Sequence, residues 1–148
     1  MRLQVETLVG VNLDGQELHR AVLDGADLHG ASLRRSNLRG ASLEGANLSR
    51  ADLENAALMV SFLRRADLSF ARLVEVSAVG ARFEEAVLKG ADLSGADVAG
   101  ASFAKADLRG ARMLCGRLES ADLREALFDA ETQWPPHFSP QDMGALLE

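Results

Sequence analysis

The chain has 148 residues, a net charge of −6 and a single cysteine, Cys115. This length suits one domain, and one cysteine excludes an internal disulfide. The negative charge argues against nucleic acid as a direct ligand, because phosphate backbones bind surfaces rich in Lys and Arg. The sequence shows neither a long apolar run nor a basic N-terminus followed by an apolar segment, so we expect no transmembrane span or secretory signal. We therefore expect a cytoplasmic protein in which Cys115 is an ordinary thiol at an outward position.

One repeat with a period of five runs along most of the chain. Every fifth residue from Leu3 to Phe128 is apolar, and 20 of these 26 residues are leucine. The residue two places earlier is small, usually alanine from Ala21 onward, and the residue between them is often Asp or Asn. We number each unit so that the small residue is position 1 and the apolar centre is position 3. The pattern predicts a register that never slips.

A period of five fits neither a helix nor a straight strand. In a helix, residues five apart are rotated by about 140°, which spreads the leucines around the cylinder. In a strand, the odd spacing sends successive leucines to opposite faces. Positions 1 and 3 share one face of a short extended piece, and the chain must turn before the next position 1. The pattern therefore predicts a corner in every unit.

Glycine supports this corner. Of the 13 glycines, 11 occupy position 5, and glycine adopts turn conformations that other residues resist. Arg35, Arg50 and Arg65 occupy the same position, so glycine is favoured there without being required.

The A(D/N)LXX units resemble the pentapeptide-repeat family, and the resemblance covers residues 1–130. It implies an all-β fold, a right-handed quadrilateral β-helix with four units in each coil. Phe83 and Phe103 stand four units apart, as do Ala78 and Val98, so each pair is predicted to stack in neighbouring coils. A small centre beside a bulky one would keep the core volume constant.

The first four units, residues 1–20, keep the leucines but lose the small residue. The leucines are Leu3, Leu8, Leu13 and Leu18, and position 1 holds Met1, Glu6, Val11 and Gln16. An inward carboxylate at Glu6 is costly unless that end of the helix is open. Residues 1–20 are therefore predicted to be a degenerate first coil that caps the N-terminal end.

Apolar residues reach outward positions from Ala56 onward. With four units in a coil, Val79 lies above Met59, while Val60 and Phe62 lie on either side of the next corner. These four residues are a candidate interaction patch, because exposed apolar patches mark partner sites. Scattered apolar surface is also normal in soluble proteins, and Phe62 could instead stack on the Arg82 guanidinium.

Residues 131–148 depart from the repeat. Ser139 followed by Pro140 is typical of a helix start, so we predict a short capping α-helix over about 140–147. The tail resembles the Thr-x-Trp-Pro-x-x-Phe-x-Pro endings of many bacterial pentapeptide-repeat proteins. It is predicted either to cover the last coil or to form a dimer contact, as in family members that pair through their C-terminal ends. The residues concerned are Trp134, Phe138, Met143, Leu146 and Leu147.

The sequence lacks the clustered residues that catalysis or metal binding needs. His19, His29 and His137 are the only histidines, and none pairs at ligand spacing with another histidine or with Cys115. We find no nucleophile–base arrangement and no complete phosphate-binding loop. We therefore expect no enzyme activity, no metal and no cofactor.

Two classes of function remain. The resemblance implies either a protein-interaction scaffold of unspecified partner or a DNA mimic that protects type II topoisomerases such as DNA gyrase. The charges do not form an acidic column like a DNA backbone. Acidic and basic residues alternate up the coils, and stacked opposite charges neutralise each other. The two columns are Arg65, Glu85, Lys105 and Glu125, and Asp52, Arg72, Asp92 and Arg112. This alternation favours the non-catalytic scaffold.

Overall fold

The structure, a computed structural model, describes residues 7–148. Position 2 of each regular unit pairs in parallel with position 2 of the fourth unit after it, as Asn12 does with Ser32 and Asp27 with Asn47. Four units therefore complete one coil, and the fold is a four-sided β-helix. The predictions for Met1, Leu3 and Glu6 lie outside the described residues.

We number the four faces of the β-helix by the units that form them. Face 1 holds residues 21–25 and every fourth unit after them, face 2 starts at 26–30, and face 3 at 31–35. Face 4 consists of residues 16–20, 36–40, 56–60, 76–80, 96–100 and 116–120. The pairings along these faces are single bridges. The two strands of the described chain are β1, Leu127–Phe128, and β2, Leu146–Leu147, and two short 3-10 helices span Leu118–Ser120 and Gln141–Met143.

Each corner is a turn closed by the backbone. The N–H of Ala21 donates to the carbonyl of Leu18 at 2.9 Å, and the same bond recurs in the regular units that follow. Position 5 is left-handed in every such turn, as at Gly30 with φ 66°. Glycine adopts this conformation without penalty, which explains its enrichment there.

The core is a stack of position-3 side chains. Every one from Leu18 to Phe128 is buried, and most of them are fully buried, whereas Leu8 and Leu13 at the open N-terminal end are half-buried. Burying one leucine stabilises the fold by roughly 1.5–3 kcal/mol. The stack therefore accounts for a large part of the stability of a fold that has no globular core.

The aromatic part of the core confirms the coil of four units. The rings of Phe83 and Phe103 stack with centroids 4.9 Å apart and planes within 1°. Ala78 and Val98, the neighbouring centres on face 4, are both fully buried. The small centres therefore lie beside the bulky rings, as volume compensation requires.

Replacing Ala78 by Leu should overpack this region and destabilise the protein by roughly 1–3 kcal/mol. The double variant Ala78→Leu/Phe83→Leu should recover part of that loss, because the smaller centre makes room for the larger one. Chemical unfolding of the two single variants and the double variant measures the recovery. Strictly additive effects of the two changes would contradict volume compensation.

Position 2 is often Asp or Asn because its side chain closes the corner. The Asp52 carboxylate accepts the N–H of Glu54 at 3.0 Å, and the Asn47 amide oxygen accepts that of Ser49 at 3.0 Å. Without such an acceptor the position-4 N–H would rely on water, and short polar side chains are suited to this local bond. The Asp or Asn at position 2 thus stabilises the turn by accepting this hydrogen bond.

Acid should weaken the hydrogen bonds that the position-2 aspartates accept, because protonation removes the negative charge of the carboxylate. Hydrogen bonds from Arg124 hold the pKa of Asp122 below its ordinary value of 3.8, although partial burial opposes the shift, and Arg117 lowers the pKa of Asp97 in the same way. A lowered pKa stabilises the fold above the unfolded-state value, and that stability is lost as pH falls through the folded-state value. We therefore expect the free energy of unfolding to be constant down to about pH 5 and to fall below about pH 4.

Urea unfolding across this range measures the effect. Asp122→Asn keeps a side-chain acceptor without a titrating carboxylate, so it should flatten part of the pH dependence. An unchanged pH profile in this variant would contradict a contribution from Asp122.

The pairing register slips by one place at Gly116, so the prediction of an unbroken register is wrong there, and it slips again at Gln133 in the tail. Asp97 pairs with Gly116, one place before the regular partner position, and Arg112 pairs with Gln133, one place beyond it. After Gly116, Arg117 adopts a left-handed φ of 59°, and the first 3-10 helix returns Leu118 to the core. The coil that ends at Gly116 is thus one residue shorter than the regular coil, and the core position is regained at Leu118 within the same unit.

This slip corrects the expectation that Cys115 is a surface thiol. Because Gly116 takes the place expected for residue 117, Cys115 takes the inward place of position 1 and is 8% exposed. Burial raises the pKa of the Cys115 thiol to about 12, so it stays protonated near neutral pH.

The predicted α-helix over 140–147 is wrong. After Pro140 the chain makes only the 3-10 helix Gln141–Met143, which ends at Gly144 with φ 88°. Then β2 pairs in parallel with β1, matching Leu146 to Leu127 and Leu147 to Phe128. The last regular coil leaves unpaired backbone groups, and bonding to them favours a strand over a helix too short to be stable alone.

Candidate interaction surface

The four residues of the predicted patch lie together across one corner of the β-helix. The Val60 N–H donates to the carbonyl of Val79 at 2.9 Å, which places Met59 and Val79 in one column of face 4. Val60 is 49% exposed and Phe62, on face 1, is 40% exposed, whereas Met59 and Val79 are half-buried. The patch is therefore a partly exposed apolar surface.

Val60 stands in a conformation that suits glycine. Its φ is 51°, and it is the one β-branched residue with positive φ among residues 7–148. Left-handed backbone costs a residue with a Cβ roughly 1–2 kcal/mol, and a β-branched residue is a genuine outlier there. The side chain fits because Gly80 follows in the next coil, where a Cβ would approach Val60 Cγ1 to 3.3 Å. The chain thus keeps an exposed apolar side chain at an energetic cost.

Phe62 does not stack on Arg82, which corrects that alternative. The Arg82 guanidinium donates to Glu84 at 2.6 Å. Among residues 7–148, the arginine that lies over an aromatic ring is Arg50, 4.9 Å from the centroid of Phe70. The ring of Phe62 therefore remains available on the surface.

The walls beside the patch are largely neutralised by ion pairs. Arg65 pairs with Glu85 at 3.3 Å and Arg72 with Asp52 at 3.1 Å, as the alternating columns predict. Higher up, Lys105 lies 3.9 Å from Glu125. Exposed pairs of this kind contribute little stability. On face 3, Asp92 and Arg112 of the predicted column form no ion pair with each other.

Face 4 differs from these walls, and sequence reasoning missed part of the difference. Residues 56–60 and 76–80 contain no charged side chain. Below them, His19, Arg20 and Arg39 are exposed and form no ion pair with a carboxylate of residues 7–148. Counting charges by face does not find this basic end, because face 4 carries equal numbers of acidic and basic residues. The end emerges only when those charges are also ordered along the axis of the β-helix.

The tail adds one irregular coil at the C-terminal end. Trp134 packs edge-on against Phe128 with centroids 5.6 Å apart and stacks on Phe138 at 5.4 Å. Met143 is half-buried against the core, whereas Leu146 and Leu147 are 49% and 58% exposed. The two aromatic residues therefore cover the last coil, and β2 leaves an apolar end open to solvent.

The contact between His29 and Ser49 is not arranged as a base and its nucleophile. His29 Nδ1 lies 2.8 Å from Ser49 Oγ, but the Ser49 hydroxyl donates to Asn47 at 2.6 Å, so the imidazole must donate to the serine and cannot act as its base. Among residues 7–148, no three His, Cys, Asp or Glu side chains are grouped so that they could hold a metal ion. No helix of that region has the length and apolar character to cross a membrane.

Comparison with known proteins identifies the repeat. The family described as pentapeptide repeats matches residues 7–35, 26–59, 61–98 and 91–129. None of the curated proteins compared with the chain matches it.

Solved structures with the same repeat resemble this chain. The pentapeptide repeat protein Rfr23 from the cyanobacterium Cyanothece 51142 is 27% identical with a TM-score of 0.67, over 87% of this chain and 91% of that protein. One from the Arabidopsis thaliana thylakoid lumen is 32% identical with a TM-score of 0.44, over 66% and 65%. A trypsin-treated form of QnrB1, a plasmid-mediated fluoroquinolone resistance protein, is 17% identical with a TM-score of 0.55, over 96% and 91%, and shows the fold alone. The chain belongs to the pentapeptide-repeat family.

Proposed function

We propose that this protein is a non-catalytic scaffold that binds another protein through the patch formed by Met59, Val60, Phe62 and Val79. The observation that carries the proposal is Val60, an exposed β-branched residue held at a left-handed corner where glycine would be more stable. Local strain is retained where the surroundings enforce it, and it concentrates at functional positions. The exposed ring of Phe62 extends the apolar surface around the corner.

The chemistry of the surface supports a binding role over catalysis. The buried thiol of Cys115 and the donating imidazole of His29 supply no activated nucleophile or base. We infer no enzyme activity, cofactor or metal for this scaffold.

A matched pair of variants tests the scaffold proposal. Val60→Arg places a charge in the patch at a corner position that arginine already occupies elsewhere, as at Arg65 with φ 58°. Phe70→Arg makes the same change at an exposed corner of face 2, where φ is also 58°. Purified protein and both variants are used as bait in an extract of the cells that produce it.

We expect at least one protein to be retained by the natural chain and by Phe70→Arg but lost by Val60→Arg. Thermal unfolding of all three baits shows whether they are equally folded. If no bound protein depends on Val60, the patch is not the binding surface.

The second candidate function is that the protein mimics DNA and binds a type II topoisomerase in its place. The net charge of −6 and the rod-like β-helix favour it, whereas the ion-paired walls oppose it. A gyrase supercoiling assay with added protein, with and without a quinolone, separates the two candidates. Protection of gyrase by the natural chain would favour mimicry, and no change in supercoiling would favour a scaffold for another protein.

A further inference from the structure

We propose that face 4 binds an acidic amphipathic α-helix of the partner protein. This inference rests on the scaffold function and specifies the chemistry of the partner. It arises from three columns of outward residues on face 4, which run parallel to the axis of the β-helix. We call these three columns together the strip. The columns are Glu17, Asn37, Ala57, Ser77 and Asp97 at position 2; His19, Arg39, Met59, Val79 and Ala99 at position 4; and Arg20, Gly40, Val60, Gly80 and Gly100 at position 5.

The columns divide face 4 into a basic end and an apolar centre. His19, Arg20 and Arg39 form the basic end, and its one carboxylate, Glu17, accepts a hydrogen bond from the Asn37 amide at 2.9 Å. Beyond the apolar centre, Asp97 is held by the Arg117 guanidinium. With Arg20 and Arg39 against Glu17, the net charge of the basic end is +1, and Asp97 at the other end of the strip is paired with Arg117. This arrangement complements a partner with apolar side chains along one stripe and carboxylates at one end of that stripe.

The position-5 column makes the surface of the strip uneven. The Arg20 stem lies against Gly40, where an added Cβ would meet Arg20 Cγ at 3.4 Å, and Val60 lies against Gly80 in the same way. Side chains and glycines thus alternate along the corner from Arg20 to Gly80. Such alternation of projections and hollows at one side of the strip can receive the side chains of a helix, as ridges fit into grooves.

The backbone of face 4 excludes a partner strand. Gly40 N–H donates to the Met59 carbonyl at 3.0 Å, Val60 N–H to Val79 at 2.9 Å, and Gly80 N–H to Ala99 at 2.9 Å. The ladder bonds of the apolar centre already join its coils, so no sheet edge is open for an added strand. Recognition must therefore use side chains, which favours a helix laid along the strip.

The dimensions of the strip fit a single helix. From His19 to Ala99 the strip crosses four coil spacings, or about 19 Å at ~4.8 Å each. An α-helix rises 1.5 Å per residue, so about 13 residues cover this length. A face one short strand wide cannot bury the roughly 800 Å² per partner of a standard protein–protein interface, which argues against a second copy docked face to face.

An anionic membrane fits less well. Val60 is the most exposed apolar residue on the strip, and Met59 and Val79 are half-buried, so little apolar surface could enter a lipid layer. The net charge of −6 would also repel anionic headgroups.

The probe is a fluorescent helical peptide of about 16 residues, slightly longer than the strip. Its leucines follow the i, i+4, i+7, i+11 spacing, and three glutamates extend one end of that stripe. Two control peptides redistribute the same leucines around the helix or replace the glutamates by lysines. Fluorescence anisotropy measures binding to the purified full chain.

Two pairs of protein variants test the contacts. Val79→Arg is matched by Val74→Arg, a half-buried position-4 valine on face 3, and Arg39→Glu is matched by Lys89→Glu, an exposed position-4 cation on face 2. We expect the acidic amphipathic peptide to bind saturably and the two control peptides not to bind. Val79→Arg and Arg39→Glu should weaken binding by at least about tenfold, and each matched control by less than about twofold.

Three results would overturn the inference. They are no saturable binding of the acidic peptide, equal losses in a variant and its matched control, and binding to phosphatidylserine vesicles that the same two variants abolish. The peptide assay uses purified protein and does not depend on capture from an extract. Failure of the peptide with Val60-dependent capture of a protein would leave the scaffold function intact and exclude only the helix.

Discussion

Replacing Leu53 by Asp should unfold the β-helix. Leu53 is fully buried in the middle of the leucine stack, and its N–H donates to the Arg72 carbonyl of the next coil at 2.7 Å. A carboxylate there would have neither water nor an ion-pair partner, so we expect a loss of more than about 4 kcal/mol. Domains of this size are stable by only about 5–15 kcal/mol. Circular dichroism should show lost β structure and a much lower melting temperature.

Ala57→Asp is the matched control. Ala57 stands at position 2, points outward and is half-buried. A carboxylate there can accept the N–H of Met59, as the Asp52 carboxylate accepts that of Glu54. We expect this variant to be at least as stable as the natural chain. A native-like melting temperature in Leu53→Asp, or equal losses in both variants, would contradict the inward assignment of position 3.

Truncation after Ala130 should have the second large effect. It removes Trp134 from Phe128, removes β2 from the edge of β1, and leaves the Leu108 carbonyl without the Thr132 hydroxyl that donates to it at 2.9 Å. An exposed apolar coil with a free ladder edge pairs with other edges, so the truncated protein should aggregate. Light scattering measures this directly.

The exposed end of β2 carries a second possibility, a dimer contact. In that case the intact protein should be a dimer, and truncation or Leu146→Glu combined with Leu147→Glu should give a soluble monomer. The double variant keeps Trp134 and Phe138 over the last coil and alters only the exposed leucines, so it separates covering from pairing. A truncated chain that stays soluble, folded and unchanged in oligomeric state would contradict both roles of the tail.

The inward and outward positions of the repeat could be predicted from the sequence because each unit specifies its own geometry. A small residue, a turn-clamping Asp or Asn, and a leucine at fixed spacing define one short strand and one corner, whatever the neighbouring units are. The stacking of Phe83 on Phe103 followed from the coil of four units that the family resemblance implies. The outward positions of Met59, Val60, Phe62 and Val79 followed as well.

The predictions that failed depend on which of several possible partners a residue contacts. Cys115 and Gly116 stand in two consecutive units that look regular, but pairing of Gly116 with Asp97 moves the cysteine inward. Arg82 lies above Phe62 yet bonds to Glu84, a choice between two partners that spacing alone does not distinguish. The basic end of face 4 also emerges only when residues four units apart are placed in one column.

The sequence by itself determined the repeat, the burial of its centres and the corner at every fifth residue, because these are local properties of a single unit. The tertiary structure decided the fate of the tail. Ser139 and Pro140 favour a helix start locally, yet Leu146 and Leu147 form a strand on β1. Backbone groups at the edge of the last coil can bond only to another extended segment, and those bonds outweigh the weak local preference for a short helix.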